Sequence, residues 1–218
     1  MRGSFSAAGH LFRNFGQNSD VFRWMEILRR KHAETYRHCV RVALLGEKLA
    51  IALPLDSTES TNLIRGCFIH DLGKILIPLE VLDKDMSLTD EQWKMMKQHP
   101  QLGVEMLENG SALDAKIIQL VQHHHERWDG KGYPKGLQKE EIPLLARVCS
   151  VIDAFDSMLS ERPYRKRKTV WEAMGELQRN SGTQFDPFIV ERFKLIEDEV
   201  IKMYAFSGKV NECRVFIE

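Results

Sequence analysis

The chain has 218 residues, 43% of them hydrophobic, enough to bury one substantial core as a single domain with short appendages. Lysine plus arginine and aspartate plus glutamate stand at 31 each, so no net field draws a nucleic acid polymer or an anionic membrane, and an anionic ligand has to be held by local charge. With no run near the ~20 apolar residues of a membrane span, no signal-peptide pattern, and no Cys-x-x-Cys pair among Cys39, Cys67, Cys149 and Cys213, a soluble cytoplasmic protein with buried thiols is expected.

Residues 1–19 show no period and read as a loose arm or linker, residues 20–208 as the folded domain, and residues 209–218 as a tail. From Asp20 to Leu53 the pattern is helical with an interruption near Lys31, and Val42, Leu45 and Leu49 recur at steps of three and four. His38 lies four residues before Val42 and Glu34 a further four back, so both share the inward face. They could point at one ion or pair with each other in the core. After Pro54, Ser57 or Thr58 caps a helix through Leu63, Ile64, Cys67 and Phe68 that ends at His70-Asp71, with Gly73 as the stop. Adjacent helical residues diverge by ~100°, so His70 and Asp71 could serve two neighbouring ions, or one from its edge.

Thr89-x-x-Gln92 is a capping box for a helix carrying Trp93, Met95 and Met96. Pro100 biases His99 away from helical geometry and places it at a break between two short helices, the second closed by Asn109-Gly110. Further on, Ile117, Leu120 and Val121 form a buried stripe that continues onto His124 and His125. His123 falls with Lys116 and Gln119 on another face and is expected in solvent. The loop Gly130-Lys-Gly-Tyr133-Pro-Lys-Gly136 carries enough glycine for its backbone N–H groups to approach a ligand closely.

Pro143 opens the next helix, with a core stripe of Val148, Ile152, Phe155 and Leu159. Its small-residue face, Ala146, Cys149, Ser150 and Ser157, includes one carboxylate, Asp153, as a candidate ligand, and Asp156 reads as structural. The basic run from Arg162 through Arg165 to Lys168 is either a solvated face or a grip on phosphate oxygens. Thr169-x-x-Glu172 caps a further helix ending at Asn180–Gly182, Asp186-Pro187 starts the last long one, and Val210, Cys213, Val215 and Phe216 suggest one short terminal strand.

Taken in order, Glu34-x-x-x-His38-x-x-Arg41-Val42, His70-Asp71-Leu-Gly-Lys74, His99-Pro-x-x-Gly103, His124-His125-Glu126 with Gly132-Tyr133-Pro134, Ile142-Pro143-Leu-x-Ala-Arg147, Asp153-x-Phe-Asp156, Arg162-Pro-Tyr-Arg165 and Thr183-Gln-Phe-Asp-Pro187 resemble the HD-GYP family over roughly residues 30 to 195. That family is the subset of HD-domain metal phosphohydrolases that cleave cyclic di-GMP. The resemblance implies an all-α HD-domain bundle with a C-terminal HD-GYP extension. It also implies two or three divalent ions held by His38, His70, Asp71, His99, His124, His125 and Asp153, with Glu34 as the ligand a third ion would need. Imidazoles and carboxylates without thiolate suit iron or manganese.

The implied chemistry is hydrolysis of cyclic di-GMP to linear pGpG, and to GMP after a second cut, by a metal-bridging hydroxide. Asp71 would bridge the ions, Lys74 would neutralise a phosphate oxygen, Arg162 and Arg165 would hold the phosphates, and Tyr133 would line the nucleotide pocket or meet a partner protein. Implied partners are a cyclic dinucleotide, a regulatory domain or diguanylate cyclase, and a second copy in a homodimer. Ile152, Ser157 and Leu159 depart from the usual pattern in packing more than in ligation, and barely thirty residues precede the motifs, where family members usually carry a receiver or sensory domain. The competing expectations are an idle module that binds nucleotide or partner proteins, and an HD phosphohydrolase of another nucleotide.

Overall fold

In the computed structural model, residues 19–83, 86–110, 113–160 and 167–207 are described. Among them the structure is helical, with two isolated bridges, Asp129 to Gln138 and Ser181 to Phe185, in place of any sheet. Arg162, Arg165 and the suggested terminal strand lie outside the described residues.

The expected first helical stretch is two helices, α1 (Ser19–Lys31) and α2 (Ala33–Ala50). The break falls at His32, whose ring caps α2 by accepting the Thr35 amide at 3.1 Å. Helix α3 (Ser57–Ile69) begins one or two residues earlier than read: Asp56, not Ser57 or Thr58, is the cap, in a reciprocal box with Glu59. His70 closes α3, and a 3-10 turn covers Leu72–Leu76. Gly73 therefore lies inside that turn and does not act as a left-handed stop.

After α4 (Leu79–Leu82), the Thr89/Gln92 box starts α5 (Asp90–Met96), and α6 (His99–Gly110) follows across a break at Lys97 and Gln98, so that His99, expected at the break, is the first residue of α6. Asp114 caps α7 (Ala115–His123), and Pro143 precedes α8 (Leu144–Leu159). Thr169 and Glu172 box the start of α9 (Val170–Arg179). The last stretch, read as one long helix from Asp186, is two: α10 (Pro187–Lys194) and α11 (Glu197–Ser207).

Helix α2 packs most extensively on α3, α3 on α7, and α8 lies across α2, α3 and α7. The core between them is built from Leu45, Leu63, Cys67, Leu120, Val148, Ile152, Phe155 and Phe193, all fully buried. Each such side chain contributes on the order of 1.5–3 kcal/mol through its buried area. This apolar layer fixes the helices whose ends carry the histidines. The 3-10 turn packs closely on α6, which brings the His70–Lys74 segment against His99.

Candidate metal centre

The histidines are aimed by helix ends. The last carbonyls of a helix have no partner within it, and three imidazoles use this: His70 Nδ1 meets Cys67 O, His99 Nδ1 meets Met96 O and His124 Nδ1 meets Val121 O, each at 2.8 Å. A carbonyl only accepts, so Nδ1 must carry the proton in all three rings, and each neutral ring turns its Nε2 lone pair inward. His38, on α2, is held differently, with Nδ1 donating to Asp156 Oδ2 at 2.7 Å.

The inward atoms converge. His38, His70 and Asp71 each offer an atom within 4.8 Å of the others, and so do Asp71, His99, His124 and His125. Asp71 belongs to both groups, and its side chain is 2% exposed. Asp153, on α8, falls in neither group but stands beside the first, with Oδ1 3.0 Å from His38 Nε2 and 3.9 Å from His70 Nε2. Lys74 stands at the edge and donates to Asp71 Oδ2 at 2.6 Å. Tyr133 stacks on His125, ring centroids 4.8 Å apart. Glu34 lines the same cleft but falls in neither group; its two oxygens take Arg41 at 3.0 Å and Arg37 at 2.9 Å.

The donor set suits divalent cations. His99 Nε2 and His124 Nε2 face each other at 3.2 Å, and with both protons on Nδ1 this contact sets lone pair against lone pair. His70 Nε2 and Asp71 Oδ1 are buried and, among the described residues, lack a hydrogen-bond partner. Polar atoms left this way cost on the order of 1–3 kcal/mol each. Ions placed between the imidazoles and carboxylates would satisfy all four atoms, so the described residues form a His/Asp cluster able to hold metal.

Protonation agrees. Burial pushes His70 down, His99 and His124 well down, and His125 to about 4, so these rings stay neutral and free to ligate. Burial alone would raise Asp71 and Asp153, but Lys74 and the imidazoles hold the first, and the His38 hydrogen bond the second, well below the usual carboxylate range. His38 is the exception. Burial favours its neutral form, yet its bonds to Asp153 and Asp156 prevail and raise it to about 9 in the metal-free chain.

Two expectations need correction. His123 is 5% exposed, not solvated. Helix α7 ends at His123, and the glycine loop folds back over that end: Lys135 and Leu137 donate their amides to buried Glu126 at 2.7 and 3.1 Å, with His123 Nδ1 3.7 Å from the same carboxylate. These two loop amides thus serve Glu126 rather than a ligand. Gly132 is required by packing, since a Cβ there would sit 2.4 Å from the Arg127 nitrogen.

Asp156, read as structural, also holds a ligand candidate in place. Fully buried, it takes His38, Arg41 and Tyr204 at once. The signal for Arg41 was present in its spacing three residues after His38. For Tyr204, far along the chain, there was none.

His38, Asp71, His99, His125 and Asp153 line an open cleft of about 860 Å³ together with Tyr133, Trp93, Met96, Thr35 and Glu34. No helix among the described residues is long and apolar enough to cross a membrane.

Residues 24–189 match the HD domain family. The chain is 38% identical over 192 residues to a cyclic di-GMP phosphodiesterase of Thermotoga maritima, covering 84% of this chain and 51% of the relative. It is 32% identical over 186 residues to a 3'3'-cGAMP-specific phosphodiesterase of Vibrio cholerae, covering 85% and 36%. The chain thus spans between about a third and a half of these relatives' lengths. Among solved structures, an HDG"Y"P protein from Bdellovibrio bacteriovorus has the same fold, with a TM-score of 0.62 at 24% identity over 77% of this chain and 52% of that one. With residues 24–189 matched and the motif series of His70-Asp71 and Gly132-Tyr133-Pro134 in order, the chain belongs to the HD domain family, in its HD-GYP branch.

Proposed function

We propose that this chain is a metal-dependent phosphodiesterase that hydrolyses cyclic di-GMP to linear pGpG. The observation that carries the reading is the pair of ligand groups sharing Asp71, at a cleft large enough for a dinucleotide. The ions would be held by His38, His70, Asp71, His99, His124, His125 and Asp153, and a set of imidazoles and carboxylates without thiolate favours iron or manganese. Divalent ions bound here would lower the pKa of water and polarise a phosphoryl oxygen.

The chain's own residues do the rest. Water adds across a P–O3′ bond, with its oxygen going to phosphorus and a proton to the departing 3′ oxygen, which leaves a 5′-phosphate and a free 3′-hydroxyl. Lys74, 20% exposed at the edge of the cluster, offers a cation to a phosphate oxygen once Asp71 is shared with metal. Tyr133, whose hydroxyl burial keeps protonated, offers a ring edge and a hydrogen bond to the nucleotide. Arg162 and Arg165 are proposed to clamp the distal phosphate, and Glu34 would serve a third ion in competition with Arg37 and Arg41. A regulatory domain, a diguanylate cyclase and a second copy of the chain remain the proposed partners.

A second reading, hydrolysis of 3'3'-cGAMP, is favoured by the likeness to the Vibrio cholerae enzyme named for that substrate. Both are tested together: anaerobic loading with iron or manganese, metal counting, and turnover of cyclic di-GMP, 3'3'-cGAMP and cyclic di-AMP in parallel. Fastest cleavage of cyclic di-GMP supports the first reading and fastest cleavage of 3'3'-cGAMP the second. A fully loaded chain that cleaves none refutes both.

A further inference from the structure

Helix α11 lies beyond the family match and beyond every motif read in the sequence, yet it reaches the cluster through one hydroxyl. Tyr204, 6% exposed, packs its ring edge-on against Phe155, centroids 5.9 Å apart, and donates its hydroxyl to Asp156 Oδ1. The same oxygen takes Arg41 Nε at 2.7 Å. The other, Oδ2, takes His38 Nδ1 at 2.7 Å and the Arg41 Nη2 at 3.0 Å. Both oxygens of this α8 carboxylate are therefore engaged from two other helices, α2 and α11, which fixes the plane of the carboxylate and with it the rotation of the His38 ring.

The ring's other nitrogen, Nε2, faces the cluster, 3.0 Å from Asp153 Oδ1 and 3.9 Å from Asp71 Oδ2. His38 and Arg41 both reach Asp156 from α2, so between them they set α2 against α8. Tyr204 is the contact that comes from outside that pair.

We propose that Tyr204 is a positioning residue: through Asp156 it holds His38 in the orientation that ligates metal, so that docking of α11 is part of metal binding. The inference rests on the metal reading of the cluster. The rival explanation is that the hydroxyl serves only to satisfy a buried carboxylate and stabilise the fold.

The test titrates Mn2+ into the metal-free chain and follows thermal unfolding of the same samples. Tyr204→Phe keeps the ring against Phe155 and deletes only the hydroxyl. Loss of such an outer partner weakens metal binding by roughly 10- to 100-fold, and with Arg41 still on Asp156 the expected loss is at the lower end, about tenfold. Val200→Ala, at another fully buried site on α11, is the control, expected to lower the melting temperature and leave Mn2+ affinity at the wild-type value. If Tyr204→Phe folds poorly, Tyr204→Met gives the same reading. Wild-type affinity in the Tyr204 variant, or an equal loss in Val200→Ala, overturns the role given to Tyr204. A wild-type chain that takes up no Mn2+ overturns the metal centre itself.

Discussion

Replacing Gly73 by alanine addresses why the His70–Lys74 segment contains a glycine at all. A Cβ at Gly73 would lie 2.0 Å from the His99 carbonyl oxygen and 2.6 Å from the Gly103 nitrogen. Both are backbone atoms that cannot rotate away. To reach 3.0 Å, the closest that real Cβ atoms come, the turn carrying Asp71 and Lys74 must part from α6 by about 1 Å. Because His99 Nε2 and Asp71 Oδ1 stand only 3.3 Å apart, that displacement falls directly on the ligand geometry.

Overpacking of this kind destabilises by about 1–3 kcal/mol, or roughly 3–10 °C in melting temperature for a domain of this size. A misplacement of about 1 Å at reacting groups costs about 100-fold in rate. Gly103→Ala is the matched comparison, because its Cβ meets Val121 Cγ1 at 3.1 Å, a side-chain atom that can give, and the Gly73 nitrogen at 3.3 Å, so only a few tenths of an ångström of movement are needed. Thermal unfolding, metal counting and cyclic di-GMP turnover should rank Gly73→Ala well below Gly103→Ala. A Gly73→Ala chain with wild-type melting temperature and full metal content would refute the reasoning.

The adjacent histidines should separate by role: His124→Ala is expected to lose metal affinity by more than about 100-fold. His123→Ala should keep its metal and lose about 1–3 kcal/mol of stability, measured by urea unfolding. The pH dependence follows from His38, raised to about 9. A metal must displace its proton, so apparent Mn2+ affinity should rise about tenfold per pH unit between pH 7 and 8.5. Stability of the metal-free chain should run the other way. The folded state holds this proton more tightly than the unfolded state, so its contribution is complete below about 6.5 and lost as pH rises through about 9. Urea midpoints at pH 7 and 9 check that sign, and a flat or rising trend contradicts it. Lys74→Met should leave metal content intact and lower kcat by about 100-fold, read from steady-state turnover of the loaded chain.

Much of the architecture was legible because helix signals here are local. Capping boxes at Thr89 and Thr169 and the stripe from Val148 to Leu159 each act within a few residues, and each is found where its chemistry puts it. Helical phase set His124 and His125 on the buried side, but it failed for His123 because phase describes one helix alone. The loop that covers His123 folds back from Gly130–Gly136 and is held by Glu126, a contact with no periodic signature. Gly73 misled for a similar reason: a glycine after a helix reads as a stop, whereas this one is demanded by a second backbone 26 residues away in sequence. The clamp on Asp156 was hardest to see, since Tyr204 lies 48 residues from its partner on a helix that carries no motif.

The central claim is that this cluster, when loaded with metal, drives water onto a cyclic dinucleotide phosphorus. Its most direct test is a single turnover of cyclic di-GMP by the metal-loaded chain in oxygen-18 water, read by mass spectrometry. The account predicts pGpG carrying one oxygen-18 in its 5′-phosphate, formed only when metal is present and lost in His70→Ala. Intact cyclic di-GMP after incubation with fully loaded chain, or the same labelled product from metal-free chain, would contradict it.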